Sequence, residues 1–224
     1  MFKKRREKHE VYLFRHGTTD FNQDGRFTGW LDAKLIEKGK QNARNIAKQL
    51  KDKRIDVAIH TRLSRSKDTL TEVLKFHPEC QIILEDDRMI ERNYGILAGE
   101  KHGDFIDRIG KQEIDLRTHG DAIVSLSKTN LKKVEKFLGE KEYDAIHRGY
   151  NVASEGGESF ADVEKRVRNF IKDLKKFIRK NKVNVAISAH GNSIRLFRKI
   201  MERAHRKSVV RWTISHDKVY HYVI

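Results

Sequence analysis

Apolar residues along this chain alternate between short unbroken runs and longer stretches with a helical spacing. Val11, Tyr12, Leu13 and Phe14 form a β-prone run closed by Arg15-His16-Gly17, which predicts a buried strand ending in a loop. Across residues 37–53, Ala43, Ile46, Ala47 and Leu50 recur at i, i+3, i+4 and i+7, one apolar helix face. A second strand is expected over 57–60. Leu63, Leu70, Val73 and Leu74 then predict a second helix ending near His77-Pro78, and 81–84 a third short strand. The most regular stretch is 158–180, where Phe160, Val163, Val167, Phe170, Ile171, Leu174, Phe177 and Ile178 hold one stripe after the break at Gly156-Gly157. Residues 183–189 predict another strand, closed by His190-Gly191 and followed by a helical pattern from Asn192, and the alternation over 219–223 predicts a last strand.

Strands alternating with helices indicate an α/β fold, a three-layer sandwich with a largely parallel central sheet flanked by helices. Ligands of such sheets sit beyond the carboxyl ends of the strands. With 224 residues and neither an internal repeat nor a low-complexity linker, one domain over 1–224 is expected. The stretch 101–143 is the least patterned, with one short helix suggested by Leu131, Val134, Phe137 and Leu138. It reads as an inserted cap or lid segment, within about 100–150, that covers the site.

Composition narrows the classes. One proline and one cysteine exclude collagen-like and disulfide-framed chains, and the lone Cys80 suits a reducing compartment. No run of 18 apolar residues occurs, and the basic N-terminus leads into only the short run at 11–14. Neither a signal peptide nor a membrane partner is expected, and the location reads as cytoplasmic. A net charge of +16 and a pI near 9.9 permit anionic partners of any size. The basic residues are spread over the whole chain without a nucleic-acid-binding motif, which argues against nucleic acid and for a lysine-rich solvated surface with a local arginine cluster.

Two strands far apart in sequence both end in His-Gly. Arg15, His16 and His190 therefore share one sheet edge, and Arg62 and Arg65 follow the strand that ends at His60. Two imidazoles and two or three guanidinium groups converging on one point make an anion site. The arginine fork matches phosphate oxygens in a bidentate way, and neutral imidazole is a competent phosphorus nucleophile near pH 7. No His-x-x-x-His spacing and no second cysteine is present, so no metal is expected. Isolated histidines such as His60, His77 and His119 read as structural or exposed.

The motif Arg15-His16-Gly17-Thr18-Thr19-Asp20-Phe21-Asn22 resembles the Arg-His-Gly signature of the histidine phosphatase superfamily. Gly25-Arg26-Phe27-Thr28-Gly29-Trp30-Leu31-Asp32 extends the resemblance in the manner of the cofactor-dependent phosphoglycerate mutases. Further elements follow in family order: the phosphate-arginine stretch 61–66 with Arg65, Glu91-Arg92-Asn93-Tyr94-Gly95-Ile96-Leu97-Ala98-Gly99, the stretch 139–151 with His147-Arg148-Gly149-Tyr150-Asn151, Gly157-Glu158-Ser159, and Ala189-His190-Gly191-Asn192-Ser193-Ile194-Arg195.

The resemblance implies His16 as the nucleophile, with Arg15, Arg65 and His190 on the equatorial oxygens of the transferring phosphoryl group, and Asn22 as a neutral donor. Glu91 would protonate the leaving oxygen and later deprotonate the acceptor. Thr28, Gly29, Arg92, Tyr94, Arg148 and Asn192 would hold the rest of a small anionic phosphorylated substrate, especially its carboxylate or second phosphate. The implied reaction is interconversion of 2-phosphoglycerate and 3-phosphoglycerate primed by 2,3-bisphosphoglycerate, without a metal, and a homodimer is compatible with it. Hydrolysis of small phosphomonoesters is the alternative. Four departures from the mutase pattern favour it: Thr18-Thr19 after the Arg-His-Gly, His147 in place of the first arginine of a pair, an insertion of roughly 28 residues over 100–127, and no shielding segment after 219–224.

Overall fold

The computed structural model describes residues 8–118 and 127–224. Along these the elements are β1 (Glu10–Arg15), α1 (Asp20–Gln23), α2 (Glu37–Leu50), β2 (Val57–His60), α3 (Ser64–Leu74), β3 (Ile82–Glu85), α4 (His102–Thr118), α5 (Lys128–Arg148), α6 (Phe160–Asn181), β4 (Val185–Ala189), α7 (Gly191–Glu202), α8 (Arg206–Val209) and β5 (Val219–Val223). The sheet order is β3-β2-β4-β1-β5, with β5 antiparallel to β1 and the other pairs parallel. The expected α/β sandwich is therefore present, with its strands within a residue or two of their expected positions.

Side-chain alternation along the strands builds the layers. Val11, Leu13, Val57, Ile59, Val185 and Ile187 face one side, where α6 supplies Phe160, Val163, Val167, Phe170, Ile171 and Leu174, and α7 supplies Ile194, Leu196 and Phe197. Tyr12, Phe14, Ala58 and Ala186 face the other, against Ile46, Ala47 and Leu50 of α2 and Leu70 and Val73 of α3. Helix α6 starts sharply because Ser159 and Asp162 form a reciprocal capping box. No described helix is long and apolar enough to cross a membrane.

The region expected to be least patterned differs from the expectation. Over the described residues, 101–118 and 127–148 are mostly two long helices, α4 and α5, instead of loop and one short helix. They pack antiparallel at two glycines. A Cβ on Gly110 would lie 2.1 Å from the Glu135 carbonyl oxygen, and one on Gly139 2.0 Å from that of Ile106. Glycine lowers helix propensity, so the residues that let the two backbones approach are the ones that obscure the helices in the sequence. The hairpin buries only a narrow stripe, Phe105, Gly110 and Ile114 on α4 with Gly139 and Ile146 on α5. Phe105 and Ile146 join Phe27, Tyr94 and Leu97 in a small third core over the sheet's carboxyl edge. The stretch 119–126, with His119 and Gly120, lies outside the described residues.

Candidate active site

The parallel pairing of β1 with β4 puts Arg15 opposite Ala189, so the residues that follow them, His16 and His190, come side by side with ring centroids 5.0 Å apart. β2 lies on the far side of β4, and Thr61, just after it, places its hydroxyl 2.8 Å from His190 Nε2. The His16 main chain donates to Ala189 O at 3.0 Å. Its Nδ1–H donates to Gly17 O at 2.7 Å, which fixes the tautomer and leaves Nε2 as the free nitrogen. Gly17 cannot carry a side chain, because a Cβ there would lie 2.2 Å from the Gly39 carbonyl oxygen of α2.

Arg65 enters from the first turn of α3 and donates to Leu31 O at 2.7 Å and Gly29 O at 2.8 Å. Gly29 can point its carbonyl this way at φ +52°, a backbone region that other residues rarely adopt. Arg15 donates to Ile214 O at 2.9 Å. These bonds use one edge of each guanidinium. Arg15 Nε, Arg65 Nε and His190 Nδ1 stay buried without a protein partner, a clustering of donors that suits an oxyanion. Burial pushes Arg15 and Arg65 down to about 10, partly offset by Glu91, so both stay charged at neutral pH. Burial, followed by Arg65, His190 and Arg15, holds His16 well below the usual imidazole range and therefore neutral. His190 is depressed in the same direction, first by burial and then by Arg65 and Arg15.

Glu91 follows a tightly held turn. Its carbonyl accepts from Trp30 Nε1 at 2.8 Å and Arg166 Nη2 at 2.9 Å, and Arg166 also binds Arg88 O, Ile90 O and the Glu158 carboxylate. The side chain is equally fixed. Oε1 accepts from the Arg92 and Asn192 main-chain N–H groups at 2.8 and 3.1 Å. An added Cβ on Gly191 would touch both Oε2 and the Arg15 guanidinium at 3.5 Å. The free carboxylate oxygen thus stands beside the arginine that faces the nucleophile.

A cavity of about 170 Å³ opens against Arg15, Glu91 and Gly191. Asn22, Thr28, Gly29, Tyr94 and Asn192 line it as expected. Asn22 Oδ1 is occupied by the Thr19 N–H in the capping box of α1, which leaves its Nδ2 as the donor for a ligand. Arg26, His102, His147 and Arg195 complete the lining. Arg195 donates to Trp212 O at 2.7 Å and Asn192 Oδ1 at 2.6 Å. His147 stacks on Tyr143 at 5.0 Å, its Nδ1 has no partner, and burial followed by Arg92 and Arg195 pushes it down to about 3.

Three expected placements are corrected. Arg148 faces away from this cavity, paired with Asp144 at 3.4 Å, in a separate groove with Lys207 and Arg211; the helical turn that carries His147 inward turns Arg148 outward. Arg92 stands behind Tyr94, its guanidinium 4.6 Å over that ring and bonded to Ile146 O at 3.0 Å. Arg62 does not converge with Arg65: it pairs with Asp87 and stacks 5.0 Å from the Trp30 ring. Sequence reasoning gave no role to Arg26 or Arg195, although both stand inside quoted motifs. His102 and Arg166 carried no local signal at all.

Among the described residues no group of three or more His, Cys, Asp and Glu is arranged to hold a metal ion. A family model described as the histidine phosphatase superfamily (branch 1) matches residues 11–124 and 125–224. The chain is 32% identical over 185 residues to a 2,3-bisphosphoglycerate-dependent phosphoglycerate mutase of Pseudoalteromonas atlantica, covering 82% of this chain and 79% of that one. Among solved structures, a phosphoglycerate mutase from Bacillus anthracis is similar with a TM-score of 0.68 at 22% identity, over 97% of this chain and 88% of that one. The α-ribazole phosphatase from Shigella flexneri is similar with a TM-score of 0.70 at 20% identity, over 95% and 89%.

Proposed function

The chain belongs to the histidine phosphatase superfamily, and from that premise we propose that it interconverts 2-phosphoglycerate and 3-phosphoglycerate through a phosphohistidine at His16, in the cytoplasm. The observation that carries the reading is a cavity of about 170 Å³ lined by three arginines, Arg15, Arg26 and Arg195, with the single carboxylate of Glu91 among them. Arg15 directly precedes His16, and Arg26 and Arg195 add two further guanidinium groups to the same lining. A mutase must hold a bisphosphorylated species at both ends while it reorients; a monoesterase needs only one. The small volume also suits a three-carbon acid better than a nucleotide-sized ester.

The primer 2,3-bisphosphoglycerate would supply the phosphoryl group that loads His16. The buried donors without partners, Arg15 Nε, Arg65 Nε and His190 Nδ1, fit one phosphoryl group of such a species, and Arg26 and Arg195 in the same lining supply further positive charge for the second. In transfer, neutral His16 attacks in line through Nε2 while Nδ1–H stays on Gly17 O. Arg15, Arg65 and His190 stabilise the charge spread over the equatorial oxygens. Glu91 Oε2 gives a proton to the departing oxygen and takes one from the acceptor hydroxyl, its other oxygen held by two amides.

One feature favours the alternative, hydrolysis of small phosphomonoesters. His147 faces the cavity as a neutral ring, which weakens the grip on a second phosphate. The deciding experiment incubates the protein with 3-phosphoglycerate, with and without 2,3-bisphosphoglycerate, and separates 2-phosphoglycerate from free phosphate. Primer-dependent 2-phosphoglycerate is expected, and both it and the phosphoenzyme should disappear in His16→Ala. Phosphate release without isomerisation would transfer the assignment to a phosphatase, and turnover retained in His16→Ala would refute the phosphohistidine.

A further inference from the structure

The stretch 210–216, between α8 and β5, touches charged residues at alternate positions, first in the outer groove and then in the site. Val210 O lies 3.5 Å from Arg148 Nη1, Trp212 O accepts from Arg195 Nε at 2.7 Å, and Ile214 O accepts from Arg15 Nη1 at 2.9 Å. The series ends at His216, whose Nδ1 lies 2.6 Å from His16 O. The stretch thus works as a strap: its carbonyls take one edge of each of these guanidinium groups, and its last member reaches the nucleophile. His216 does not line the cavity. It stands edge-on to the His16 ring, centroids 5.6 Å apart, while His190 is the other imidazole neighbour at 5.0 Å.

We propose that His216 is a positioning residue for phosphoryl transfer, fixing the main chain and ring of His16 so that Nε2 stays aligned for in-line attack. Nε2 being the attacking nitrogen, two of the polar groups that can anchor His16 are already taken: N–H by Ala189 O and Nδ1 by Gly17 O. The carbonyl oxygen is the remaining one, and in a residue only 2% exposed it depends on His216 for a donor. Burial, followed by Arg15, pushes His216 down to about 4. At neutral pH its single N–H therefore sits on Nδ1 and donates to His16 O without adding a positive charge beside a nucleophile that must stay neutral. Losing this bond frees the peptide that carries the nucleophile. A shift of about 1 Å in a reacting group costs on the order of 100-fold in rate.

The inference rests on the reading that His16 takes up a phosphoryl group, and the test separates the two. The rate of acid-labile phosphohistidine formation is measured in single turnover with 4-nitrophenyl phosphate, alongside the dissociation constant of inorganic phosphate. His216→Ala should form phosphohistidine roughly 10- to 100-fold more slowly, with phosphate affinity within about threefold. His216→Asn places an amide N–H where Nδ1–H stood and should restore the rate to within about fivefold. His216→Gln, whose amide reaches one bond too far, should not. Asn and Gln differ little in polarity, so their contrast survives even where the alanine variant folds poorly. Equal rates in the Asn and Gln variants, or a wild-type rate in His216→Ala, would overturn the role. A wild-type protein that forms no phosphohistidine would overturn the assignment of His16 and this inference together.

Discussion

Replacing Glu91 with glutamine separates proton transfer from anion binding, because the surroundings of Glu91 accept the amide without rearrangement. The glutamine oxygen can take the two main-chain donors now on Oε1, at 2.8 Å from Arg92 N and 3.1 Å from Asn192 N. The Glu91 carbonyl keeps Trp30 and Arg166. Only the oxygen beside Arg15 changes, from a proton carrier to an NH₂ group. General acid–base groups contribute about 10²- to 10⁴-fold, or roughly 3–5 kcal/mol of transition-state stabilisation, so turnover of 3-phosphoglycerate should fall by that factor. Binding should move the other way. Glu91 is the carboxylate that partly offsets Arg15, Arg65 and Arg195, and neutralising it makes the site more positive. For unit charges about 6 Å apart in an effective dielectric of about 40, that is roughly 1.4 kcal/mol, an upper limit of about tenfold tighter inorganic phosphate. Single-turnover phosphorylation from two donors gives the sharper assay. A 4-nitrophenolate leaving group needs no proton, so its transfer should be nearly unaffected while transfer from phosphoglycerate collapses. Equal losses with both donors, or phosphate affinity that weakens along with the rate, would make Glu91 a structural partner of its turn and refute the reasoning.

The opposed directions of two consecutive residues give a second prediction: His147→Ala should raise the KM for 3-phosphoglycerate and the ratio of released to transferred phosphate, about 5- to 30-fold for the loss of one or two kcal/mol of polar contact, whereas Arg148→Ala should change either by less than about threefold; a larger effect at Arg148, read by product partitioning, would place the second anion in the outer groove instead. A third concerns pH. His16, His102, His147, His190 and His216 are all held below the usual imidazole value, first by burial, with His147 at about 3 and His216 at about 4. The unfolded chain binds those protons near pH 6.5 and the folded chain does not, so stability is full above that value and is lost as pH falls through it. His147 and His216 alone should withdraw about 2 kcal/mol between pH 6 and pH 5, roughly 4–8 °C of melting temperature in a chain of this size. Thermal melts that stay level from pH 7 to pH 5 would contradict the burial of these rings.

The legible part of this site is the part that rides on strand ends. Arg15, His16 and His190 are adjacent in sequence to the buried runs that pair as β1 and β4, so once those runs are read as neighbouring parallel strands the two imidazoles must meet. Arg65 is legible for a related reason, one turn beyond β2. The part of the cavity lining supplied by α4 and α5 was not. His102 and His147 come from α4 and α5, whose crossing depends on Gly110 and Gly139, residues that weaken the local helical pattern. On a helix, moreover, inward and outward directions change from one residue to the next, which is why a motif could point to His147-Arg148 and still leave the wrong member facing the ligand.

A second class of determinant is written in main-chain atoms and leaves no trace in side-chain identity. Arg15, Arg65 and Arg195 are each aimed by carbonyl oxygens, from Ile214, from Leu31 and Gly29, and from Trp212. Any residue offers a carbonyl, so nothing in the sequence distinguishes Trp212 or Ile214 as a partner of the site. The consequence is physical. A guanidinium held on one edge by neutral carbonyls keeps its charge uncompensated and its other edge free, whereas a carboxylate in the same place would neutralise the charge the phosphoryl group needs. Glu91 is the exception, and its Oε1 is taken up by two amides. The site therefore stays net positive around a neutral nucleophile while admitting one carboxylate oxygen at the position where a proton has to move.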